Sequence, residues 1–368
     1  MSSKNSKAVI AGFAIFSMIF GSGNIVFPLI LGKNHSHCWY WAAFGWIATT
    51  AIIPMVGYYG SMLYNADTKK YLSPIGKHAT FMLMLLIMLL IGPFGVIARG
   101  VNVSFGGVHV VSPYMSEYLF NFVFCLVTLL LAWHPGKIVQ LMGTVFTPLK
   151  FGGAFSVIIG SLLLCKTDVI NTGTESLTAF SESFKTGYQT LDLLASFIMA
   201  STIYKYARNS LPESQRDEKK AILKFCAIAC IVGGIILAIV YAGLTLVGAK
   251  YASLLQATPD SELFAKIAGI AMGNAASWFI AIVIAACCLA TNILLTSVFT
   301  DYVHNDILKG KFNRNAILLI VGITTYVVSL LGFSEICSIM AIVLEKIYPA
   351  IIILVIARIT YYYAKRSN

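Results

Sequence analysis

Charged side chains are scarce in this sequence. Aspartate, glutamate, lysine and arginine make up 11% of its 368 residues, whereas hydrophobic residues make up 58%. A water-soluble protein carries about 25% charged residues. The shortage excludes an ordinary soluble domain, and the mean hydropathy of +0.82 indicates an integral membrane protein.

The sequence also lacks the short motifs of several enzyme classes. It contains no P-loop, no HExxH, no GxSxG and no pair of histidines at metal-ligand spacing in an apolar run. A membrane enzyme acting on lipid would need a nucleophile, a histidine cluster or paired acids, whereas only Asp192 and Glu345 lie away from the ends of the apolar runs, with no obvious partner. The chain is therefore predicted not to be an enzyme. Without an ATP site, transport would use an ion gradient or exchange.

None of the 8 cysteines forms a CxxC pair, and most lie in apolar runs. We interpret them as buried small hydrophobic residues. The first apolar run continues through Leu31, which is too long for a signal peptide and predicts a retained first span.

Ten apolar runs approach the length of about 20 residues that a transmembrane helix needs. They predict an all-α integral membrane protein that forms a single membrane domain over residues 1–368. The predicted spans, numbered in chain order, cover residues 8–31, 38–62, 79–103, 117–133, 139–164, 186–207, 221–248, 274–303, 315–333 and 336–363.

Basic residues are unevenly divided between the two sides of these spans. Seventeen lysines and arginines lie on the side of the termini, five lie on the opposite side, and four lie within spans. The asymmetry predicts cytoplasmic N- and C-termini. Because loops rather than a groove carry the net charge of +11, no nucleic acid partner is expected. Five spans in each half predict two inverted repeats, residues 8–164 and 183–363, as in many secondary transporters.

Span 1 contains small and polar residues where a continuous helix would be expected. Gly21, Ser22, Gly23 and Asn24 weaken a helix, and a break inside lipid requires that the freed backbone groups face protein or a wet cavity. One half-helix would offer N–H groups to an anion such as a substrate carboxylate. Close helix packing is the alternative explanation. A channel, as another possible class of protein, would not need two differently interrupted helices.

The other half-helix would offer carbonyl groups to a small cation, here those near Ser17 and Phe20. Span 8 places more oxygens at mid-membrane depth, although such hydroxyls often bond to their own helix. Together these groups predict a sodium site of about five oxygens. The span 8 oxygens belong to Thr291, Asn292, Thr296 and Ser297.

Span 6 is the symmetric counterpart of span 1 and contains an acid, Asp192, within its apolar run. An intramembrane acid is usually functional or paired. Any unwinding is expected around residues 195–201, although no glycine after Gly187 marks it. Arg99 in span 3 either reaches the interface or neutralises Asp192 or Glu345. In span 10, the adjacent residues Glu345 and Lys346 either belong to a kinked gate helix or form a buried structural pair with other helices.

Several motifs resemble those of the bacterial branched-chain amino acid:cation symporters (the LIVCS family), which have the leucine-transporter-like fold. The resemblance implies sodium-coupled import of leucine, isoleucine and valine through the inner membrane by alternating access. Proton coupling and amino acid exchange are the alternatives within the same fold. The motifs are FGSGNIVFP in span 1, IGPFGVIARGVNVSF in span 3, GYQTLDLLA in span 6, CLATNILLTSVFTDY in span 8 and EKIYPAIIILV in span 10.

The resemblance also implies site residues. The family typically has two hydroxyl residues after the leucine of CL, whereas this chain has Ala290 and then Thr291, so that one sodium ligand is missing. An apolar pocket is expected to accept isoleucine, leucine, valine and methionine, which differ by little in such a site. The implied sodium ligands are the carbonyls of Ser17, Phe20 and Cys287 and the hydroxyl of Thr291. The implied substrate site comprises Gly21, Ser22, Gly23, Asn24 and Asp192, with Phe94, Phe197, Ile198 and Met199 as pocket candidates.

Overall fold

The computed structural model describes residues 3–133, 147–165 and 167–367, and every regular element in these ranges is helical. The helices that position the site are numbered here in chain order. They are α1 (Ser3–Ile19), α2 (Ser22–Asn34), α3 (Trp39–Ile47), α4 (Ile53–Leu63), α5 (Thr68–Leu72), α6 (Lys77–Ile91), α7 (Val96–Val111), α8 (Glu117–Ala132), α9 (Thr147–Leu164), α10 (Ser176–Thr186), α11 (Asp192–Ser210), α12 (Lys219–Lys250), α13 (Leu263–Met272), α14 (Asn274–Tyr302), α15 (Arg314–Ser329) and α16 (Phe333–Ser367).

Many of these helices are suited to a bilayer. Five segments are long and apolar enough to cross a membrane, and α1 with α2 makes a sixth as a bent pair. Shorter apolar helices occupy 117–132, 148–164 and 314–329. The described helices follow the predicted spans closely, whereas residues 139–146 of the fifth predicted span lie outside the described residues. The chain is therefore a multi-pass membrane protein in its architecture.

Span 1 is interrupted where its glycines lie. Helix α1 ends at Ile19, α2 begins at Ser22, and the two axes differ by 75°. Between them Gly21 is extended, with φ −111° and ψ −164°. The predicted break at the Gly21 to Asn24 motif is confirmed, and it leaves the last carbonyls of α1 and the first N–H groups of α2 without intrahelical partners.

The interruption of span 6 lies earlier than expected. Helix α10 ends at Thr186, a tight 3₁₀ turn covers Gly187–Thr190, and Leu191 is left-handed at φ 61° before α11 begins at Asp192. The expectation of unwinding at residues 195–201 is wrong, because α11 is continuous there. A left-handed leucine costs about 1–2 kcal/mol, so neighbouring packing must hold the break.

Helix α12 packs along both halves of span 1. The contact with α2 is made backbone to backbone: a Cβ atom on Gly32 would overlap the Thr245 carbonyl oxygen, and one on Gly248 would overlap the Leu29 carbonyl oxygen. Only glycine permits this approach. The close contact carries Tyr241, two turns earlier on α12, into the region of the span 1 break.

Candidate functional site

The breaks of spans 1 and 6 face each other in the interior. A Cβ atom on Gly23 would lie 4.0 Å from the methyl group of Thr190 in the span 6 turn. Ser22, Gly23 and Asn24 are all buried at the start of α2. The structure thus brings the two sequence-predicted halves of the substrate site together.

The side chain of Asn24 connects the two breaks. Its Nδ2 donates to Oδ2 of Asp192 at 2.8 Å and to the hydroxyl of Tyr241 at 2.6 Å. Its Oδ1 accepts the N–H of Gly21 at 3.3 Å, which closes the turn between α1 and α2. Asn24 is 3% exposed, and a buried amide with these partners has a defined orientation. One side chain therefore joins span 1, span 6 and α12.

Asp192 is the first residue of α11 and is 3% exposed. A carboxylate at a helix N-terminus is stabilised by the helix dipole. Its own N–H lies 3.4 Å from the Thr190 hydroxyl, and the N–H of Leu193 donates to the Tyr348 hydroxyl at 3.2 Å. These contacts hold the start of α11 in place, with the Asp192 carboxylate against Asn24 of the span 1 break.

This arrangement suits a small zwitterion. The N–H groups at the start of α2 and the positive end of its dipole favour a carboxylate. The Asp192 carboxylate and the oxygens beside it favour an ammonium group. A ligand with both groups on one carbon matches the site better than a simple anion or cation does.

The four pocket candidates are not all in one place. Phe197 is fully buried with its ring centroid 5.4 Å from that of Tyr71. Ile198 and Met199 are half-buried against the apolar cluster that contains Phe197. Phe94 lies in the turn between α6 and α7, is 49% exposed, and stands outside that cluster.

The predicted sodium ligands also converge, but they converge on a lysine. Nζ of Lys150, on α9, donates to the carbonyls of Ser17 at 3.2 Å and Phe20 at 3.0 Å and to the Thr291 hydroxyl at 3.1 Å. The Thr291 hydroxyl in turn donates to the carbonyl of Cys287 at 3.1 Å. An ammonium group thus lies among the oxygens that were predicted to hold the ion, and the residues present do not fit a sodium ion in this arrangement.

The other polar residues of span 8 face elsewhere. Asn292 donates from Nδ2 to the Ile97 carbonyl at 2.9 Å and so holds α14 against α7. Ser297 accepts a hydrogen bond from Arg314 at 3.0 Å. The prediction that span 8 supplies several oxygens to one cation site does not hold for Asn292 and Ser297, because helix geometry turns these two side chains toward different neighbours.

Arg99 and Glu345 also differ from expectation. Arg99 is 1% exposed, its guanidinium lies 5.9 Å from the Phe27 ring centroid, and Nη1 lies 3.9 Å from Sγ of Cys337. In the described part of the chain Arg99 forms no ion pair with Asp192 or Glu345. Glu345 and Lys346 are both exposed, so the interpretation as a buried structural pair is wrong.

A polar vestibule of about 660 Å³ opens where α7 ends and α8 begins. Its lining includes Phe333, whose ring centroid lies 5.8 Å from that of Phe27. The Phe27 ring in turn lies against Gly23, where an added Cβ would be 3.2 Å away. These aromatic rings separate the vestibule from the two breaks. The charged and titratable side chains of the vestibule are His109, Glu117, Asp260, Glu262 and Glu335.

Sequence reasoning missed two residues of the site. Tyr241 is a fully buried tyrosine in an apolar run, and a buried hydroxyl that requires a partner is the feature that could have drawn attention to it. Lys150 is one of the four basic residues counted within spans, and the sequence gives it no further role. A lysine inside a transmembrane helix is a functional candidate by default.

Comparison with known proteins identifies relatives of this chain. A family model described as branched-chain amino acid transport protein matches residues 4–368. The chain is 27% identical over 362 residues to the branched-chain amino acid permease BrnQ of Bacillus subtilis (strain 168), covering 95% of this chain and 80% of that protein. It is 28% identical over 361 residues to the branched-chain amino acid transport system 3 carrier protein of Pseudomonas aeruginosa, covering 96% and 80%.

Solved structures show the same fold at low identity. The inward-facing conformation of Mhp1 superimposes with a TM-score of 0.64 at 10% identity, covering 87% of this chain and 69% of that chain. A manganese transporter of Eremococcus coleocola gives a TM-score of 0.53 at 12% identity, covering 88% and 70%.

Proposed function

Because the chain belongs to the branched-chain amino acid transport protein family, we propose that it imports isoleucine, leucine, valine and methionine across a bacterial inner membrane by alternating access. The observation that carries the proposal is the Asn24 amide, which joins the two interrupted spans through Asp192 and Tyr241. The substrate ammonium is assigned to Asp192, and the substrate carboxylate to the start of α2. An aliphatic side chain is assigned to the apolar cluster beside α11.

The proposal includes ten spans in two inverted sets, residues 8–164 and 183–363, with both termini in the cytoplasm. It is supported by the positions of the two interruptions, since α1 with α2 and α10 with α11 each begin one set. In this orientation the polar vestibule opens to the outside. The Phe27 and Phe333 rings then close the outer route, and their separation would open it.

Coupling to a cation gradient is part of the proposal. Sodium is the ion that the resemblance implies, and proton coupling or amino acid exchange is the second candidate. The contacts of Lys150 with three of the four predicted sodium ligands favour the second candidate. Each scheme predicts a different response to an imposed gradient.

Uptake of radiolabelled isoleucine by purified protein in liposomes tests the function. We expect accumulation under an imposed cation gradient, or exchange against isoleucine loaded inside. Protein-free liposomes are the control. No uptake with a sodium gradient, with a proton gradient or with internal counter-substrate would contradict the transporter assignment.

Replacing Tyr241 by phenylalanine is expected to weaken apparent isoleucine affinity about tenfold. The change leaves one N–H of Asn24 without its acceptor, and an unsatisfied buried donor costs about 1–3 kcal/mol. Concentration dependence of uptake measures the effect. Tyr206→Phe, at a position 40% exposed on α11, is the matched control and should behave like the unmodified protein. Equal affinities of the two variants would remove Tyr241 from the site.

Replacing Phe197 by tryptophan is expected to change the preference among aliphatic substrates. A contact that differs by one methylene contributes about 1–3 kcal/mol to discrimination, or roughly 10–200-fold. The ratio of kcat/KM for isoleucine and valine measures it, and Phe279→Trp, at a position 52% exposed, is the control. If Phe197→Trp left uptake of every aliphatic amino acid unchanged, the assigned pocket would be wrong.

A further inference from the structure

The ammonium group of Lys150 has an unusual set of hydrogen-bond acceptors. An ammonium group has three N–H donors and no acceptor. Nζ has three acceptors within 3.2 Å, namely the Ser17 carbonyl, the Phe20 carbonyl and the Thr291 hydroxyl. The hydrogen-bonding capacity of the ammonium group is therefore filled by the oxygens of one predicted ion site.

The surroundings of these three hydrogen bonds determine that Nζ donates and that the oxygens accept. The Thr291 hydroxyl donates its proton to the Cys287 carbonyl, so that its lone pairs are left for Lys150. The carbonyls of Ser17 and Phe20 belong to the end of α1, which carries the negative end of a helix dipole. All three groups that accept a hydrogen bond from Nζ therefore favour a positive charge.

Among the described residues, no acid balances this charge directly. In the residues that the structure covers, no carboxylate lies within ion-pair distance of Lys150, and the lysine is only 2% exposed. Burying an ammonium group without partners is very unfavourable. The oxygens at the end of α1 are consequently what allows Lys150 to be buried there.

We propose that the ammonium group of Lys150 is a tethered replacement for the coupling sodium ion, so that this chain moves its amino acid substrate without sodium. The inference rests on the proposed function. Ala290 agrees with it: an ammonium group needs three acceptors and has them, so a further hydroxyl at this fully buried position would have no cation to bind. A sodium ion and Nζ cannot share the same oxygens.

Two measurements on the unmodified full chain test the proposal. The first compares melting temperatures in equal concentrations of sodium chloride and potassium chloride. The second compares initial isoleucine uptake into liposomes in the same two salts, at one pH and with the membrane potential clamped. We expect no difference between the salts in either measurement. A sodium-dependent rise in melting temperature or in uptake rate overturns the proposal.

Substitutions test the role of the lysine. Lys150→Ala should lower uptake in potassium at least about tenfold, because the site loses a hydrogen-bonded charge. Lys150→Ala combined with Ala290→Thr should restore uptake only in sodium and should raise the melting temperature in sodium. Lys224→Ala removes the same charge from an exposed position on α12 and should match the unmodified chain. Undiminished uptake by Lys150→Ala, or no sodium response of the double variant, contradicts the proposal.

The two possible failures are distinguishable. If no amino acid is taken up or exchanged in any salt, the proposed function is wrong, whereas the comparison of melting temperatures still tests whether sodium binds. If the Lys150 variants do not fold, the measurements on the unmodified chain decide the question.

Discussion

Replacing Asp192 by asparagine is expected to reduce isoleucine uptake at least about a hundredfold. The change keeps the shape of the side chain but removes the charge assigned to the substrate ammonium. It also places a second amide beside the Nδ2 donor of Asn24, which now bonds Oδ2 at 2.8 Å. Removing one partner of a buried, hydrogen-bonded charge pair costs about 2–5 kcal/mol. Equilibrium binding of labelled isoleucine in detergent separates lost binding from a lost transport step.

Asp301 is the matched control for this experiment. It lies near the end of α14 and pairs with Arg314 at 2.7 Å, with 47% of its side chain exposed. An exposed ion pair contributes only about 0–1 kcal/mol, so that Asp301→Asn should keep uptake within about threefold of the unmodified chain. If Asp192→Asn stayed in the same range, the substrate ammonium would have to bind elsewhere.

The second large effect is expected from Gly32→Ala. A Cβ atom at this position would overlap the Thr245 carbonyl oxygen and lie 2.7 Å from the backbone nitrogen of Ala249. Backbone atoms cannot rotate away, so α2 and α12 would have to separate. Overpacking costs about 1–3 kcal/mol and sometimes more. We expect a loss near the upper end of that range, seen as a melting temperature lowered by roughly 5 °C or as protein missing from the membrane.

Gly152→Ala provides the comparison, because no described residue lies within 4 Å of its added Cβ atom and the residue is exposed on α9. It should change the free energy of unfolding by less than about 0.5 kcal/mol. Equal melting temperatures of the two alanine variants would show that α2 and α12 do not approach so closely.

The helices of this protein were largely predictable, because lipid imposes a length and a composition on each span. The interruption of span 1 was predictable as well, since Gly21 and Gly23 mark it. The interruption of span 6 was not. Leu191 adopts a left-handed conformation without glycine, and it is held there by packing from chain segments distant in the sequence.

The candidate site was predictable in its chemistry but not in its contacts. Acids, amides and hydroxyls within apolar runs are identifiable because they are costly in lipid. Which of them meet depends on tertiary packing: Asn24 and Asp192 are 168 residues apart, and Lys150 and Thr291 are 141 apart. No periodicity within a span encodes such a pairing, so the lysine among the predicted sodium ligands became visible only in the fold.

Under the proposed function, the vestibule would screen solutes before they reach the breaks. Lys33 forms an ion pair with Asp260 at 3.3 Å, and His109 lies 2.8 Å from Glu262. Glu117 and Glu335 also line the vestibule. A basin with negative walls concentrates positive ends of dipoles and excludes anions. A neutral amino acid would therefore enter with its ammonium end leading, and acidic amino acids would be slowed at the entrance, at a rate that salt modifies.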